Sequence, residues 1–232
     1  MSTPTVAFFA LAYVWTWAWQ APLVAGYQGP LWLVFLGMAA IGPSLAAIVL
    51  TRGRILRQLR PHARWGWFAV AAALPLAVRG LALLVDGAFG HALPDPLVQV
   101  PALGAMLLPA LGEELGWRGF AFPQLADRLG AASAAVITGL AWGLWHLPTA
   151  LMPDASLGQF PVYLLMVTAG GIWMAWLYQA AGRCTVVAIV AHAAINCGLV
   201  ARGTGPGMVV VWVAVGAVAL FALTRMPRQA AA

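Results

Sequence analysis

Charge is scarce in this chain of 232 residues, since only 8% of them are Asp, Glu, Lys or Arg, and lysine is absent altogether. A water-soluble domain of this length carries roughly 25% charged residues. Hydrophobic residues make up 63% of the chain, which leaves too little polar surface to cover a soluble fold. The scarcity of charge therefore excludes an ordinary soluble protein and indicates a polytopic membrane protein.

The marks of a secreted, disulfide-bonded domain are also missing. The chain has two cysteines, Cys184 and Cys197. On one helix these two residues would lie about 20 Å apart, which is too far for a disulfide. The N-terminus lacks the basic region of a cleaved signal peptide, and its first apolar run is long enough to span a membrane. We expect two free thiols packed among helices and an uncleaved first span.

Long apolar runs dominate what is present. They lack the alternation of polar and apolar residues that a closed β-barrel requires, whereas a transmembrane helix needs about 20 apolar residues. The sequence predicts an all-α fold: a polytopic membrane helix bundle of about eight transmembrane helices in a single membrane domain, 1–232. The predicted spans are 5–26, 30–51, 65–85, 99–120, 131–151, 158–181, 183–202 and 206–225.

The arginines predict the orientation. Their densest cluster, 52–64, indicates a cytoplasmic loop under the positive-inside rule. Nucleic acid is excluded as a partner because the other arginines are spread among apolar spans. With alternating spans, both termini lie in the cytoplasm and membrane lipid surrounds the chain, as expected for an integral protein of the cytoplasmic membrane. The further residues on the inner side are Arg128, Arg183, Arg225 and Arg228; those on the outer side are Asp86, Asp95, Asp154 and, against the rule, Arg202.

Two features of the first three spans concern the membrane interface. A tryptophan cluster near the predicted span ends suggests interfacial anchoring; its members are Trp15, Trp17, Trp19, Trp65 and Trp67. Arg79 lies within the third span, where snorkelling, pairing with another group and an early end of the helix all remain open.

The only two glutamates of the chain stand together in GEELGWRG. Glu114 and Arg118 are four residues apart, so they can pair on one face of a helix with the acid on the preferred N-terminal side. Glu113 points about 100° away and is left without a local partner. This arrangement suggests a general base beside a supporting ion pair. The alternative is a charged helix end at the cytoplasmic interface, with Arg118 snorkelling.

Two further polar pairs lie in later spans, each on one helical face. Trp142 and His146 precede Pro148, which should disturb the helix. His192 and Asn196 carry donors that could stabilise an oxyanion in a low-dielectric site. Each histidine alone could instead be a hydrogen-bonded packing residue or a link between helices.

Small residues on two of these spans could let the helices approach closely. Gly112 and Gly116 lie on the fourth span, and Gly139 and Gly143 lie on the fifth. Both spacings fit the close backbone packing of membrane helices.

Together these pairs resemble the motifs of the CPBP (Abi) intramembrane proteases, relatives of the CAAX prenyl endopeptidase. GEELGWRG is similar to EExxxR, Trp142-x-x-x-His146 to FxxxH with Trp in place of Phe, and His192-x-x-x-Asn196 to HxxxN. The resemblance covers a motif-bearing core, 99–202, with its motifs on helices four, five and seven. It implies hydrolysis of a peptide bond in the membrane.

The resemblance also implies a role for each matched residue. Glu113 and His146 would activate water, and His192 and Asn196 would form the oxyanion hole. Glu114 and Arg118 would support them, and Trp142 would contribute to the substrate pocket. The substrate would be a peptide or protein, with or without an attached lipid.

Two other functional hypotheses remain at this stage. Two histidines and a glutamate are also ligand types of catalytic zinc, although no HExxH is present; the favoured mechanism needs no cofactor, and Zn2+ is the alternative. Buried Glu, Arg and His also occur in transporters and proton relays. We see no inverted repeat of the kind that transporters show.

The predicted boundaries conflict with the mechanism in one respect. They place Glu113 and His146 at membrane depths that differ by roughly 14 Å. Either the fourth span extends further inward or the fifth begins later, with 121–133 as an interfacial helix.

Overall fold

The computed structural model describes residues 2–92, 105–200 and 205–226, and every regular element within them is a helix. The predicted positions Asp95, Arg202 and Arg228 lie outside the described residues. The α-helices in chain order are α1 Thr3–Val24, α2 Trp32–Ala40, α3 Gly42–Thr51, α4 Trp65–Ala88, α5 Leu107–Gly116, α6 Phe122–Leu129, α7 Ala131–Trp145, α8 Leu147–Ala150, α9 Phe160–Ala180, α10 Thr185–Val200 and α11 Gly207–Arg225. The described residues also form two 3-10 segments, Arg54–Leu59 and Leu157–Gln159, and one π-helical segment, Trp117–Ala121.

Apolar helices of membrane-spanning length are present. Among the described residues, three helical stretches are long and apolar enough to cross a membrane: Trp65–Ala88, Leu157–Ala180 and Gly207–Arg225. The pair α2 and α3, bent by 42°, makes a fourth if it counts as one span. The all-helical membrane fold is therefore confirmed, and the count of eight spans stays a prediction.

The bend between α2 and α3 follows from Pro43, which has no N–H to give to a carbonyl one turn earlier. The oxygens exposed there are bonded from α1: Thr16 Oγ1 donates to Ala39 O at 2.8 Å, and Trp15 Nε1 donates to Met38 O at 2.7 Å. Such replacement bonds are what an interrupted helix needs inside a membrane. Trp15 thus links two helices, a role that the interfacial prediction did not include.

Glycines form the close contacts of the fold, as predicted. A Cβ at Gly112 would lie 2.9 Å from Ala40 O, and one at Gly116 would meet the backbone of Pro43, so α5 lies directly against the bend. On α7, a Cβ at Gly139 would lie 2.9 Å from Thr168 O of α9. The bundle therefore packs α5 against α3 and α7 against α9 at backbone distance.

The fourth predicted span does not end near residue 120. Helix continues from α5 through the π segment and α6 to Leu129, and the chain reverses at Gly130, whose φ is +81°. Glu113 lies 17 residues before this turn and His146 lies 16 residues after it. At 1.5 Å per residue both are roughly 25 Å from the turn, so the conflict in depth disappears because the fourth helix extends inward.

The arginine-rich segment packs against the ends of the site-bearing helices. Gln58 Nε2 donates to Gly119 O at 3.1 Å, and Thr185 Oγ1 donates to Gln58 Oε1 at 2.7 Å. Nearby, Arg183 Nη2 lies 3.3 Å from Asp127 Oδ1. The predicted inner loops thus meet at one end of the molecule.

Two of the three alternatives left open for Arg79 do not apply, and α4 extends beyond the predicted third span, 65–85. This helix runs unbroken through Arg79 to Ala88, and Arg79 is only 8% exposed, so the helix neither ends early there nor presents the arginine to the surface. Asp86 lies in the last turn of α4 rather than in a loop, and it is 3% exposed. Its Oδ1 accepts a 2.8 Å hydrogen bond from Gly207 N, which satisfies a free donor at the start of α11.

Candidate active site

Glu114 lies at the centre of a buried charge cluster. Its Oε1 accepts a hydrogen bond from Arg118 Nη1 at 2.8 Å and another from His192 Nδ1 at 2.8 Å. Glu114 is 0% exposed and Arg118 is 1% exposed. The predicted pair on the helix is therefore present and faces the protein interior. The reading of Arg118 as a snorkelling residue at a helix end was wrong.

Arg118 also reaches the backbone of α9. Its Nη2 donates to Gly171 O at 3.4 Å. A Cβ at Gly171 would lie 3.2 Å from the same nitrogen and 3.0 Å from Gly139 Cα. A glycine is needed here because α7, α9 and the guanidinium converge on one point.

Glu113 has a different partner. Its Oε2 accepts a 2.7 Å hydrogen bond from Trp142 Nε1, which comes from α7. The hydrogen bonds of Arg118 Nη1 and His192 Nδ1 go to Glu114 instead. Glu113 is 5% exposed. The absence of a partner on its own helix, which the sequence predicted, is thus compensated from another helix.

The indole of Trp142 touches each of the other groups. The Arg118 guanidinium lies 4.6 Å from its ring centroid. The His192 ring lies at 5.0 Å and the His146 ring at 5.7 Å, both edge-on. Trp142, which the resemblance assigned to substrate binding, is only 5% exposed and packs against three other residues of the site.

His146 stands where the fifth predicted span breaks. It ends α7, and Pro148 lies in the first turn of α8, as the sequence predicted. Its Nδ1 lies 2.8 Å from Trp142 O. A carbonyl only accepts, so Nδ1 carries the proton, and in the neutral ring Nε2 keeps its lone pair.

Residues outside the motifs hold this break. Trp17 Nε1 donates to Trp145 O at 3.0 Å, and the Tyr13 hydroxyl donates to Ala141 O. Tyr163 of α9 packs its ring 5.6 Å from that of His146. No sequence pattern indicated these three contacts, because nothing local relates α1 or α9 to the histidine.

His192 and Asn196 behave differently from one another. His192 is 2% exposed and joins the cluster through Glu114. Asn196 is half-buried, and its side chain makes no hydrogen bond with the residues that the structure describes. The structure therefore brings five of the seven predicted site residues into one bonded cluster, with His146 against its edge and Asn196 one turn beyond His192.

The side chains present do not fit a zinc centre in this arrangement. A catalytic zinc takes three protein ligands. Within the described ranges, no group of three or more His, Cys, Asp and Glu side chains is arranged to hold a metal ion. Two atoms of the types that bind zinc, Glu114 Oε1 and His192 Nδ1, are already bonded to one another at 2.8 Å.

An all-helical membrane fold with a buried cluster of carboxylates, arginine and histidines defines the class: a membrane protein with an internal polar site. Residues 95–198 match the family described as type II CAAX prenyl endopeptidase Rce1-like. The protein named CAAX prenyl protease 2 of Methanococcus maripaludis is 32% identical over 107 residues, which cover 42% of this chain and 39% of that relative. The chain is thus similar to CAAX-type proteases over residues 95–198, and its matched part spans about two fifths of the relative's length.

Proposed function

We propose that this chain is an intramembrane endopeptidase that hydrolyses a peptide bond with water activated by Glu113. The observation that carries the proposal is the contrast between the two glutamates. Glu114 accepts bonds from Arg118 and His192, whereas the one described side chain that donates to Glu113 is the neutral indole of Trp142. A carboxylate without a cationic partner is the better proton acceptor, because its charge is not neutralised by a contact.

His146 is the second group of this mechanism. Its Nδ1 bond to Trp142 O leaves Nε2 free to accept a hydrogen bond from water. Its distance from the Gly130 turn matches that of Glu113, so the two side chains reach a similar depth. One water molecule shared between them would give a proton to Glu113 while its oxygen attacks the scissile carbonyl carbon.

The oxyanion that forms would be held by His192 and Asn196. His192 Nδ1 donates to Glu114, which directs the Nε2 edge away from that carboxylate. For Nε2 to donate to the oxyanion, the ring must carry both protons, and the resulting cation would be paired with Glu114. Collapse of the tetrahedral intermediate breaks the C–N bond, and the proton held by Glu113 passes to the leaving amine.

The substrate proposal rests on the relative's name. A protease of prenylated CAAX peptides acts on a C-terminal segment anchored in the membrane by its lipid. A site buried among membrane helices suits such a segment, so we extend this substrate class to the chain. We also propose that the chain crosses the cytoplasmic membrane eight times, with both termini in the cytoplasm. This part of the proposal rests on the apolar runs and the arginines of the sequence.

The test is cleavage of a farnesylated CAAX-type peptide by purified protein in vesicles. General base catalysis contributes typically 10²–10⁴-fold. Glu113→Ala and His146→Ala should therefore each lower kcat/KM by at least about a hundredfold and still elute as folded protein in detergent. Asp154→Asn, at an exposed acid, is the matched control and should cleave like the parent.

Chelation is the companion measurement. Because the donors do not fit a zinc centre, activity should survive prolonged dialysis against a strong chelator, and metal analysis should find less than stoichiometric zinc. Loss of cleavage that returns with added Zn2+ would reject the metal-free mechanism. Full activity of Glu113→Ala would reject the role of that residue.

A further inference from the structure

The indole N–H of Trp142 makes a contact that the motif's usual phenylalanine could not make. A phenylalanine ring has no polar hydrogen, whereas the indole nitrogen is a donor. In this chain that donor lies 2.7 Å from Glu113 Oε2. The departure from the FxxxH pattern therefore changes the hydrogen bonding of the carboxylate, besides changing the size of an aromatic side chain.

The two carboxylates differ in the hydrogen-bond donors that they receive, and this difference makes the Trp142 contact important. The cluster has two cationic or potentially cationic groups, Arg118 and His192, and both donate to the same oxygen of Glu114. Among the described residues, Trp142 is the one side chain that donates to Glu113. A buried carboxylate needs such a partner, since leaving it without one is costly.

The position of the indole is itself fixed by the same groups. Arg118 lies over its ring at 4.6 Å, and His192 and His146 contact the ring edge-on at 5.0 and 5.7 Å. A cation over an aromatic face is attracted by the ring, most strongly for tryptophan. The ion pair of Glu114 thus orients the indole, and the indole orients Glu113.

We propose that Trp142 is the positioning residue for the general base, holding Glu113 through Oε2 so that Oε1 faces the reacting water. The proposal rests on the proposed hydrolysis for its catalytic part, whereas the hydrogen bond can be tested without it. An indole suits this task because it donates without carrying a charge, so it fixes the orientation of Glu113 without forming an ion pair with it. It replaces the simple substrate-binding role that the sequence suggested for Trp142.

The experiment compares Trp142→Phe with Trp173→Phe. Both tryptophans are 5% exposed, but the buried Nε1 of Trp173 has no hydrogen-bond partner within the described residues. Hydrogen bonds to charged groups have a net effect that corresponds to roughly ten- to a hundredfold. Trp142→Phe should lower kcat on the farnesylated peptide by about that factor with KM unchanged within about threefold, and Trp173→Phe should keep both constants near those of the parent.

A spectroscopic measurement tests the Trp142–Glu113 hydrogen bond independently of the proposed peptidase activity. The chain has 12 tryptophans, and the indole signal of Trp142 in a 15N–1H spectrum of the detergent-solubilised protein is the one that Trp142→Phe removes. Glu113→Ala should move this signal more than any other indole signal, whether or not the protein cleaves the peptide. An unmoved Trp142 signal would overturn the proposal, as would a raised KM with unchanged kcat in Trp142→Phe. A moved signal in a protein without peptidase activity would uphold the contact and reject only the hydrolysis.

Discussion

Two chemically identical neighbours, Glu113 and Glu114, have different hydrogen-bond partners because their side chains face different helices. Glu114 accepts bonds from Arg118 and His192, while Glu113 accepts one from Trp142. The helical spacing alone indicated which glutamate would pair with the arginine. It could not indicate the histidine or the indole, because no local rule relates residue 114 to residue 192.

The buried ion pair leads to a prediction about stability. Arg118→Met would leave Glu114 with only His192 as a donor, and removing one partner of a buried pair typically costs about 3–5 kcal/mol. We expect a clearly lower midpoint of thermal unfolding in detergent. Arg128→Met is the control, since Arg128 is exposed at the end of α6. Equal melting of the two variants would show that the pair does not stabilise the fold.

At the scale of elements, the site depends on irregular helices. The π segment Trp117–Ala121 begins three residues after Glu114 and contains Arg118, and α7 ends at His146. Such interruptions often occur at functional sites. The sequence indicated the second break through Pro148, but it contained no comparable signal for the π segment, whose carbonyl at Gly119 is bonded by the distant Gln58.

Substitutions at two adjacent glycines of α9 test how closely this helix packs against α7. A Cβ at Gly171 would lie 3.0 Å from Gly139 Cα, whereas one at Gly170 would meet nothing within 4 Å. Overpacking typically costs about 1–3 kcal/mol, so Gly171→Ala should lower the unfolding midpoint and the activity. Gly170→Ala should leave both unchanged or raise the midpoint slightly, because alanine favours helix. A Gly171→Ala protein as stable as Gly170→Ala would contradict the close packing.

At the scale of the whole molecule, the arginine-rich segment, 52–64, and the other predicted inner loops meet at one end. The contacts of Gln58 with Gly119 and Thr185, and of Arg183 with Asp127, join segments far apart in sequence. The positive-inside rule predicts that this end faces the cytoplasm. The lengths of the described helices do not by themselves fix the number of crossings, because several spans are broken.

Cysteine labelling tests the orientation. The two native cysteines are free and buried, so they should give little background. In intact cells, an impermeant maleimide should label Asp154→Cys but neither Arg54→Cys nor Arg183→Cys; all three should react once the membrane is opened. Labelling of Arg54→Cys from outside would reverse the proposed topology, and labelling of both Arg54→Cys and Asp154→Cys would reject the eight-span count.

The sequence by itself determined the class of fold, the family resemblance and the motif residues. These follow from composition, from apolar runs of spanning length and from spacings of four residues, all of which act locally along the chain. Tertiary structure alone decided that His192 bonds to Glu114, that Trp142 bonds to Glu113, and that the helix carrying Glu113 continues to a turn at Gly130. The physical reason is that these contacts depend on the turn at Gly130 and on glycine contacts between helices, which set side chains from distant segments at hydrogen-bond distance.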